Sequence, residues 1–245
     1  MILKPANFLL AIICCHHRSS ACQTIRETYL SGANIDYKFF FGNGQHADPQ
    51  ADEVILDCDD AYRGLACKVW RIAQYALEHG YEAVFKVDDD TYVRPERLKF
   101  AGYAGKEYVG MMLGATDKYH LNDYARGGTG YWLGINALGA LARAPLPNPD
   151  IPSEYAEDSW VGKTLKAASI KGENDSDRLR CAEGSGPGRS IRPNGNTAWK
   201  KDVPTCGNNI ITCCEFLGSE MREVHNEWTK SAGKRDNLLN RIRIK

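Results

Sequence analysis

The first half of the chain alternates short apolar runs with stretches in which apolar residues recur at helical spacing. Phe8–Cys15 is a continuous apolar run followed at once by polar residues, and it predicts a first buried strand. The apolar positions after Asp59 and Asp60 repeat at helical spacing as far as Gly80, which predicts a helix with an acidic N-cap and a glycine terminator. The other elements predicted in this half are a helix at 20–30 and strands at 37–41, 52–56 and 82–87. This order predicts an α/β fold with a Rossmann-like, mostly parallel sheet flanked by helices.

The second half has a less regular pattern. The elements predicted there are strands at 108–113, 131–133 and 209–216, helices at 135–144 and 153–168, and a helix from 221 onward. Residues 171–209 are polar and rich in Gly and Pro, so we predict a long surface loop or insertion. Residues 222–245 form a basic C-terminal tail. The whole chain, 1–245, is predicted to be a single domain.

Composition and charge limit the classes of function. The chain has 31 basic and 31 acidic residues, a balance that argues against a surface devoted to nucleic acid or anionic membranes. The Phe8–Cys15 run is about half the length of a membrane span, and no signal-peptide cleavage site follows it. We therefore expect a cytoplasmic protein with no membrane span.

The nine cysteines form no CxxC pair, so a zinc ribbon is not expected. Without an export signal, the expected state is reduced and mostly buried thiols. A single disulfide, for example between Cys181 and Cys206, is the alternative.

Three adjacent aspartates, Asp88, Asp89 and Asp90, follow the apolar segment EAVFKV. Their charges repel one another, so the arrangement needs a compensating cation. A divalent ion with oxygen ligands suits such a cluster and also neutralises a diphosphate. In open α/β sheets, ligands bind just outside the carboxyl ends of strands, where this motif falls. The alternative is a solvated acidic turn that caps a helix.

Several motifs occur in an order and at a spacing that resemble one enzyme superfamily. They are IRETYL (25–30), FFFGNG (39–44), DEVILDCDDAYRGLACKV (52–69), VFKVDDDTYV (84–93), ARGGTGYWLG (125–134) and EDSWVG (157–162). From roughly residue 8 to 165, the chain resembles the β1,3-glycosyltransferase superfamily that includes Fringe and the core-1 galactosyltransferase. The resemblance implies a GT-A fold, a UDP-sugar donor bound through Mn²⁺ or Mg²⁺, and inversion of the anomeric carbon.

The resemblance also implies roles near the donor. Asp88 and Asp90 match the ends of the family's Asp-x-Asp motif, with Asp90 and also Asp88 as metal ligands, and with Asp88 and Asp89 near the ribose or sugar. Arg26 and Thr28 match a segment that lies near the nucleotide.

Lys68 matches a family lysine that either reaches a phosphate or pairs with Asp88. Gly127, Gly128 and Gly130 form a glycine-rich turn that lets a sugar approach the backbone closely, and the alternative is a tight hairpin turn.

Two further positions carry the chemistry that the resemblance implies. Asp158 matches the carboxylate that takes a proton from the acceptor hydroxyl, and the alternative is favourable acidic charge at a helix N-terminus. Cys214 stands where the family has a histidine metal ligand. A thiolate is a softer ligand than Mn²⁺ prefers, so Glu215 or His225 is an alternative ligand.

The expected function is inverting, metal-dependent transfer of a sugar from a nucleotide-sugar to an acceptor hydroxyl. The acceptor is a glycan, a protein or a hydroxylated base in nucleic acid. The family's animal members are membrane-anchored, so a chain without an anchor suggests a bacterial or viral origin. The alternatives are a non-catalytic nucleotide-sugar or glycan-binding protein on the same scaffold, and an acidic calcium-binding domain.

Overall fold

The computed structural model describes residues 7–44, 48–113, 124–151, 154, 156–181, 210–214, 216, 218–226 and 229. The strands in chain order are β1 (Phe8–Ile13), β2 (Asp36–Asn43), β3 (Glu53–Asp59), β4 (Ala83–Asp88), β5 (Tyr92–Val93), β6 (Tyr108–Gly110), β7 (Met112–Leu113), β8 (Tyr124–Ala125), β9 (Tyr131–Gly134), β10 (Glu173–Asn174), β11 (Leu179–Cys181) and β12 (Thr212–Cys214). The helices are α1 (Ser19–Glu27), α2 (Leu65–Glu78), α3 (Pro95–Lys99), α4 (Ile135–Arg143), α5 (Glu157–Ala167) and α6 (218–226).

The central sheet is mixed and mostly parallel, with the strand order β10-β6-β9-β4-β1-β2-β3. Strands β3, β2, β1 and β4 run parallel to one another, and β9 is antiparallel to both β4 and β6. The predicted α/β class with a mostly parallel sheet is therefore confirmed. β1 is a central strand with a hydrophobic core packed on each of its faces, which explains the continuous apolar run.

A hydrophobic core lies on each face of this sheet. Leu10 and Ile12 of β1 pack on one face with Ile25 of α1. Leu9 and Ala11, the alternate residues, pack on the other face with α2, α4 and α5. Successive side chains of a strand point to opposite faces, so a single apolar run serves both cores.

Most predicted elements of the first half are confirmed, with ends shifted by a few residues. The helix predicted up to Gly80 is α2, and Gly80 adopts φ +76°, the left-handed conformation that ends helices. Its predicted acidic N-cap is wrong, because Gly64 occupies that position with no side-chain cap. Asp60 instead binds backbone amides elsewhere in the fold, as described below.

The second half differs more from the sequence pattern. The strand predicted at 108–113 is divided into β6 and β7, which pair with different partners. The predicted loop at 171–209 contains β10 and β11 within 171–181, and residues 182–209 lie outside the described part. Only 222–226 and 229 of the basic tail are described, and 222–226 belong to α6.

Cys58 of β3 and Cys67 of α2 form a disulfide, so the prediction of reduced thiols throughout is wrong at this pair. Their Cα atoms are 5.9 Å apart because α2 packs back against β3. Cys14, Cys15 and Cys22 remain thiols. The pair suggested from the sequence cannot be compared, since Cys206 lies outside the described residues.

Within the described residues, no helix has the length and apolar character needed to cross a bilayer.

Replacing Cys67 with Ser removes a cross-link between residues nine positions apart. We expect the free energy of unfolding to fall by about 2–3 kcal/mol in non-reducing buffer, because the unfolded chain gains freedom. Urea denaturation measures this loss, and Cys15→Ser, which removes a half-buried thiol, is the matched control. A reductant should destabilise the unmodified protein by a similar amount and leave Cys67→Ser unchanged. A peptide map of unreduced protein without the Cys58–Cys67 cross-link would contradict the assignment.

Candidate functional site

A cleft of about 890 Å³ opens where the parallel strands β1–β4 end. Ile13 and Asp88 are the last residues of β1 and β4, and they stand side by side in the parallel register. The cleft is lined by the segments 13–18, 43–44 and 59–62, together with Leu65, Lys68 and Asp88–Asp90. This edge of the sheet is where open α/β folds bind ligands.

The three adjacent aspartates form one side of the cleft. Asp88 ends β4, Asp89 is only 5% exposed and Asp90 is half-buried. Arg18 Nη1 lies 3.1 Å from Asp89 Oδ1 and 3.6 Å from Asp90 Oδ2. Burial raises the pKa of Asp89 to about 7, and the neighbouring aspartates add to that rise while Arg18 opposes it. The sequence predicts that these aspartates need a compensating cation, and within the protein Arg18 supplies positive charge beside them.

A buried ion network lies directly beneath Asp88. Lys86, 1% exposed, places its Nζ 2.7 Å from Asp88 Oδ1 and 3.1 Å from Glu157 Oε1. The Tyr131 hydroxyl donates to the same Glu157 oxygen. Burial alone lowers the pKa of Lys86, but the two carboxylates outweigh it and raise that pKa above its ordinary value. Sequence analysis missed Lys86, although its place two residues before Asp88 puts both side chains on one face of β4.

The glycine-rich turn lies between the aspartates and the start of α5. A Cβ on Gly128 would lie 3.8 Å from Cys214 Sγ and 3.9 Å from Asp88 Oδ2. A Cβ on Gly127 would lie 2.4 Å from Glu157 Oε2, so a side chain there collides with the buried network. Residues 127–129 form a single 3₁₀ turn that leads into β9. It is not the hairpin turn named as the alternative, because β8 and β9 on either side of it belong to different sheets.

Gly130 follows that turn with φ +79°, a conformation that favours glycine. A Cβ at Gly130 would also lie 2.7 Å from a Val87 methyl group and 2.8 Å from the Lys86 carbonyl oxygen. Gly130 therefore serves the close packing of β9 on β4.

Asp158 is half-buried in the first turn of α5. Its carboxylate accepts the Ser159 amide at 2.8 Å and the Gly127 amide at 3.5 Å. Burial raises its pKa, and these two amides oppose the rise. The sequence alternative of acidic charge at a helix start is thus also fulfilled. Tyr62, a cleft residue that is 70% exposed, has its pKa raised by partial burial and by the nearby Asp158, Glu157 and Asp88.

Lys68 lines the opposite side of the cleft and is 1% exposed. Its Nζ donates to the Cys14 carbonyl at 2.7 Å and to Asp60 Oδ1 at 2.8 Å. The partner of Lys68 is therefore Asp60 rather than Asp88. Asp60 also accepts the His16 and Gly42 backbone amides at 2.7 and 2.8 Å and faces His16 Nδ1 at 2.7 Å. Burial alone raises the pKa of Asp60, but these contacts outweigh it and lower that pKa to about 2.

The structure keeps two predicted nucleotide residues away from this cleft. Arg26 donates to Asp52 at 2.8 and 2.9 Å and to Glu53 at 2.7 Å. Thr28 is buried and donates to the Thr24 carbonyl at 2.6 Å, and it lines a second cavity of about 390 Å³. Neither residue lines the cleft beside the aspartates.

The predicted metal ligands are brought together in part. Among the described residues, no group of three or more His, Cys, Asp or Glu side chains is arranged to hold a metal ion. Asp88 and Cys214 both border the space beside Gly128, whereas Asp90 is paired with Arg18. Magnesium and similar hard ions are often held by one or two carboxylates together with substrate phosphates. The donors present therefore fit an ion that arrives with a diphosphate better than a permanently bound ion.

Of the two alternative ligands named from the sequence, only His225 is described, and it lies beside Tyr92 rather than in the cleft. His225 Nδ1 lies 3.0 Å from the Tyr92 hydroxyl and lines the second cavity. Burial lowers the pKa of His225. Glu215 lies outside the described residues.

No family model matches the sequence. Two similar solved structures are both glycosyltransferases. One, described as involved in glycosylation of the major capsid of PBCV-1, is 13% identical, has a TM-score of 0.48 and matches 89% of this chain and 98% of its own. The other is the catalytic domain of Drosophila β1,4-galactosyltransferase 7 in complex with xylobiose. It is 11% identical, has a TM-score of 0.44 and matches 69% of this chain and 65% of its own. Sequence identities and TM-scores this low do not establish a function, so the function is argued from the residues of the cleft.

The depressed pKa of Asp60 makes acid stability a test of this side of the cleft. An acid whose pKa is lower in the folded state stabilises the fold above its unfolded pKa, and that contribution disappears as the pH falls through its folded pKa. We therefore expect the free energy of unfolding to drop between about pH 4 and pH 2. Asp60→Asn should flatten this drop, and it should lower stability at neutral pH because Lys68 loses its charged partner.

Urea denaturation at several pH values measures both effects. Asp57→Asn is the matched control, because Asp57 lies in β3, a few residues before Asp60, with a side chain that is 82% exposed. The same acid dependence in Asp60→Asn as in the unmodified protein would disprove the assigned role.

Proposed function

We propose that this chain is an inverting, metal-dependent glycosyltransferase of the GT-A type that transfers a sugar from a nucleotide-sugar, with UDP as the expected nucleotide. One observation carries the proposal. A cleft at the carboxyl edge of a mostly parallel sheet has three aspartates on one side. The glycine turn lies beside Asp88, and its Gly127 amide donates to the half-buried carboxylate of Asp158. The motif order that resembles the Fringe and β1,3-galactosyltransferase superfamily supports the same reaction class.

The donor is proposed to bind in the cleft beside the aspartates. The cleft volume of about 890 Å³ lies within the range of small-molecule sites. Asp88, Asp90 and Cys214 are the residues that would hold Mn²⁺ or Mg²⁺ together with the donor diphosphate. The ion supplies positive charge that stabilises the diphosphate as it leaves. Gly128 keeps the space between Asp88 and Cys214 clear of a side chain.

Asp158 is proposed as the base that accepts the proton of the attacking hydroxyl. Its raised pKa brings it closer to neutral pH than an ordinary aspartate, which suits proton transfer. The neighbouring Glu157 is a poorer candidate, because it is buried and already engaged by Lys86 and the Tyr131 hydroxyl. The amides of Gly127 and Ser159 orient the Asp158 carboxylate.

The proposed acceptor is a hydroxyl of a glycan or of a glycosylated protein. A nucleic-acid acceptor was suggested only by the basic tail, most of which lies outside the described residues. A non-catalytic nucleotide-sugar binder remains the second candidate, and Cys214 at the expected histidine position is the observation that favours it. Turnover separates these two candidates.

Nucleotide binding is the first test of the donor site. We expect UDP or another nucleoside diphosphate, given with Mn²⁺ or Mg²⁺, to raise the thermal midpoint by about 5–10 °C when the ligand is at about 100 times its dissociation constant. GDP and dTDP are measured beside UDP, each with and without metal. The combined replacement of Asp88 and Asp90 by Asn should abolish the shift, and Asp48→Asn, at an exposed position, should retain it. If no nucleotide shifts the midpoint with either metal, the donor-binding proposal is wrong.

Asp158→Asn tests the proposed base. We expect turnover to fall by about 10²–10⁴-fold, because the amide cannot accept the proton, while the donor dissociation constant changes by about twofold or less. Turnover is measured as transfer to an acceptor or as hydrolysis of the donor that binds. Asp150→Asn, at an exposed loop position, is the control. An equal loss of donor binding and turnover would assign Asp158 to binding instead.

A further inference from the structure

Arg18 is the partly exposed cation that faces the aspartates of the cleft. Its Nη1 contacts both Asp89 and Asp90, at 3.1 and 3.6 Å, and its side chain is 45% exposed. We propose that Arg18 is an exchangeable counter-ion. It neutralises these aspartates before ligands bind, and it transfers to the diphosphate of the nucleotide when a divalent ion takes over the carboxylates. This inference rests on the proposed function and assigns a residue to its donor site.

The electrostatics favour such an exchange. Asp89 is nearly buried between two other carboxylates, so the cluster is costly without a positive charge beside it. Arg18 supplies that charge within hydrogen-bonding distance. A divalent ion bound to Asp90 would lie close to the guanidinium, and the two positive charges would repel each other. A diphosphate brings additional negative charge to the cleft, and turning toward it takes the guanidinium away from the ion.

The two lysines near the cleft are buried and held by their partners, so neither can move to a ligand. Lys68 is 1% exposed and bound by the Cys14 carbonyl and by Asp60. Lys86 is equally buried between Asp88 and Glu157. Removing either lysine from its carboxylates would leave charges buried without partners. Moving Arg18 away from the aspartates does not leave a buried cation without a partner, because much of its side chain already contacts solvent.

Arg18 is also placed and shaped for a diphosphate. It ends the 3₁₀ turn His16–Arg18 that follows β1, and this turn lines the cleft. Both of its contacts with the aspartates use the same terminal nitrogen, Nη1. A guanidinium has five donors in a planar fork that matches phosphate oxygens, so the remaining donors suit a phosphate at the cleft.

The exchange predicts that removing the charge of Arg18 strengthens the binding of metal alone and weakens the binding of nucleotide. Arg18→Gln should bind Mn²⁺ alone several-fold more tightly, because the ion no longer competes with the guanidinium for the aspartates. The same variant should bind UDP about ten- to hundredfold more weakly in saturating Mn²⁺, because charge-assisted hydrogen bonds to the diphosphate are lost. Inorganic pyrophosphate should show the same weakening as UDP, which places the contact at the phosphates.

Isothermal titration calorimetry with MnCl₂ alone, then with pyrophosphate and UDP in saturating Mn²⁺, measures these effects. Arg18→Lys keeps the charge without the fork, so it should bind Mn²⁺ as the unmodified protein does and bind UDP with intermediate affinity. Arg63→Gln is the matched control, because Arg63 is an exposed arginine in the 3₁₀ turn 62–64, whose first residue lines the cleft. Unfolding midpoints of all variants establish that each is folded.

The outcomes separate this inference from the proposed function. If the unmodified protein binds neither UDP nor pyrophosphate with metal, both are wrong. If the unmodified protein binds them and Arg18→Gln binds them equally well, the function stands and the role of Arg18 is wrong. If Arg18→Gln loses Mn²⁺ and UDP affinity together, Arg18 supports the shape of the site and the exchange is overturned.

Discussion

The site depends on how the chain neutralises carboxylates that it partly or fully buries at the carboxyl edge of the sheet. Burial raises the pKa of both Asp89 and Glu157 to about 7, so neither charge is tolerated there without a partner. Basic neighbours pair with five of these carboxylates, namely Lys86 with Asp88 and Glu157, Lys68 with Asp60, and Arg18 with Asp89 and Asp90. Asp158 accepts two backbone amides instead. The cleft therefore has a fixed arrangement of charge before any ligand binds.

These three cations differ in how firmly they are held, so the site has a rigid part and a part whose contacts can change. Lys86 and Lys68 are buried, so the positions of Asp88 and of the loop carrying Asp60 are set by the core of the fold. Arg18 reaches solvent, so its contacts can change without disturbing that core. Lys86 also distinguishes the two acidic residues at the start of α5, because it engages Glu157, whereas the more accessible Asp158 is the proposed base. Rigid and exchangeable charges thus lie side by side in one cleft.

The parallel half of the fold could be predicted because each strand and helix there has a local apolar period. The position of the aspartates followed too, since Asp88 ends β4, which runs parallel to β1, and so lies at the carboxyl edge of the parallel strands. What failed depends on contacts between distant segments. Asp60 looked like a helix cap, but its amide partners belong to His16 and Gly42. The nucleotide role implied for Arg26 stays a prediction, but its contacts with Asp52 and Glu53 at the start of β3 come from packing that no local pattern reveals.

The glycine pair shows how one sequence feature can meet two separate constraints. Gly127 excludes a side chain because Glu157 lies against it, which is a requirement of the buried network. Gly128 has ordinary room for a methyl group, but that group would stand beside both Asp88 and Cys214. With one hard oxygen donor and one soft sulfur donor on that space, the protein alone offers Mn²⁺ or Mg²⁺ a poor set of ligands. In the proposed reaction the diphosphate completes the set, so metal and donor bind as a unit and each raises the affinity for the other.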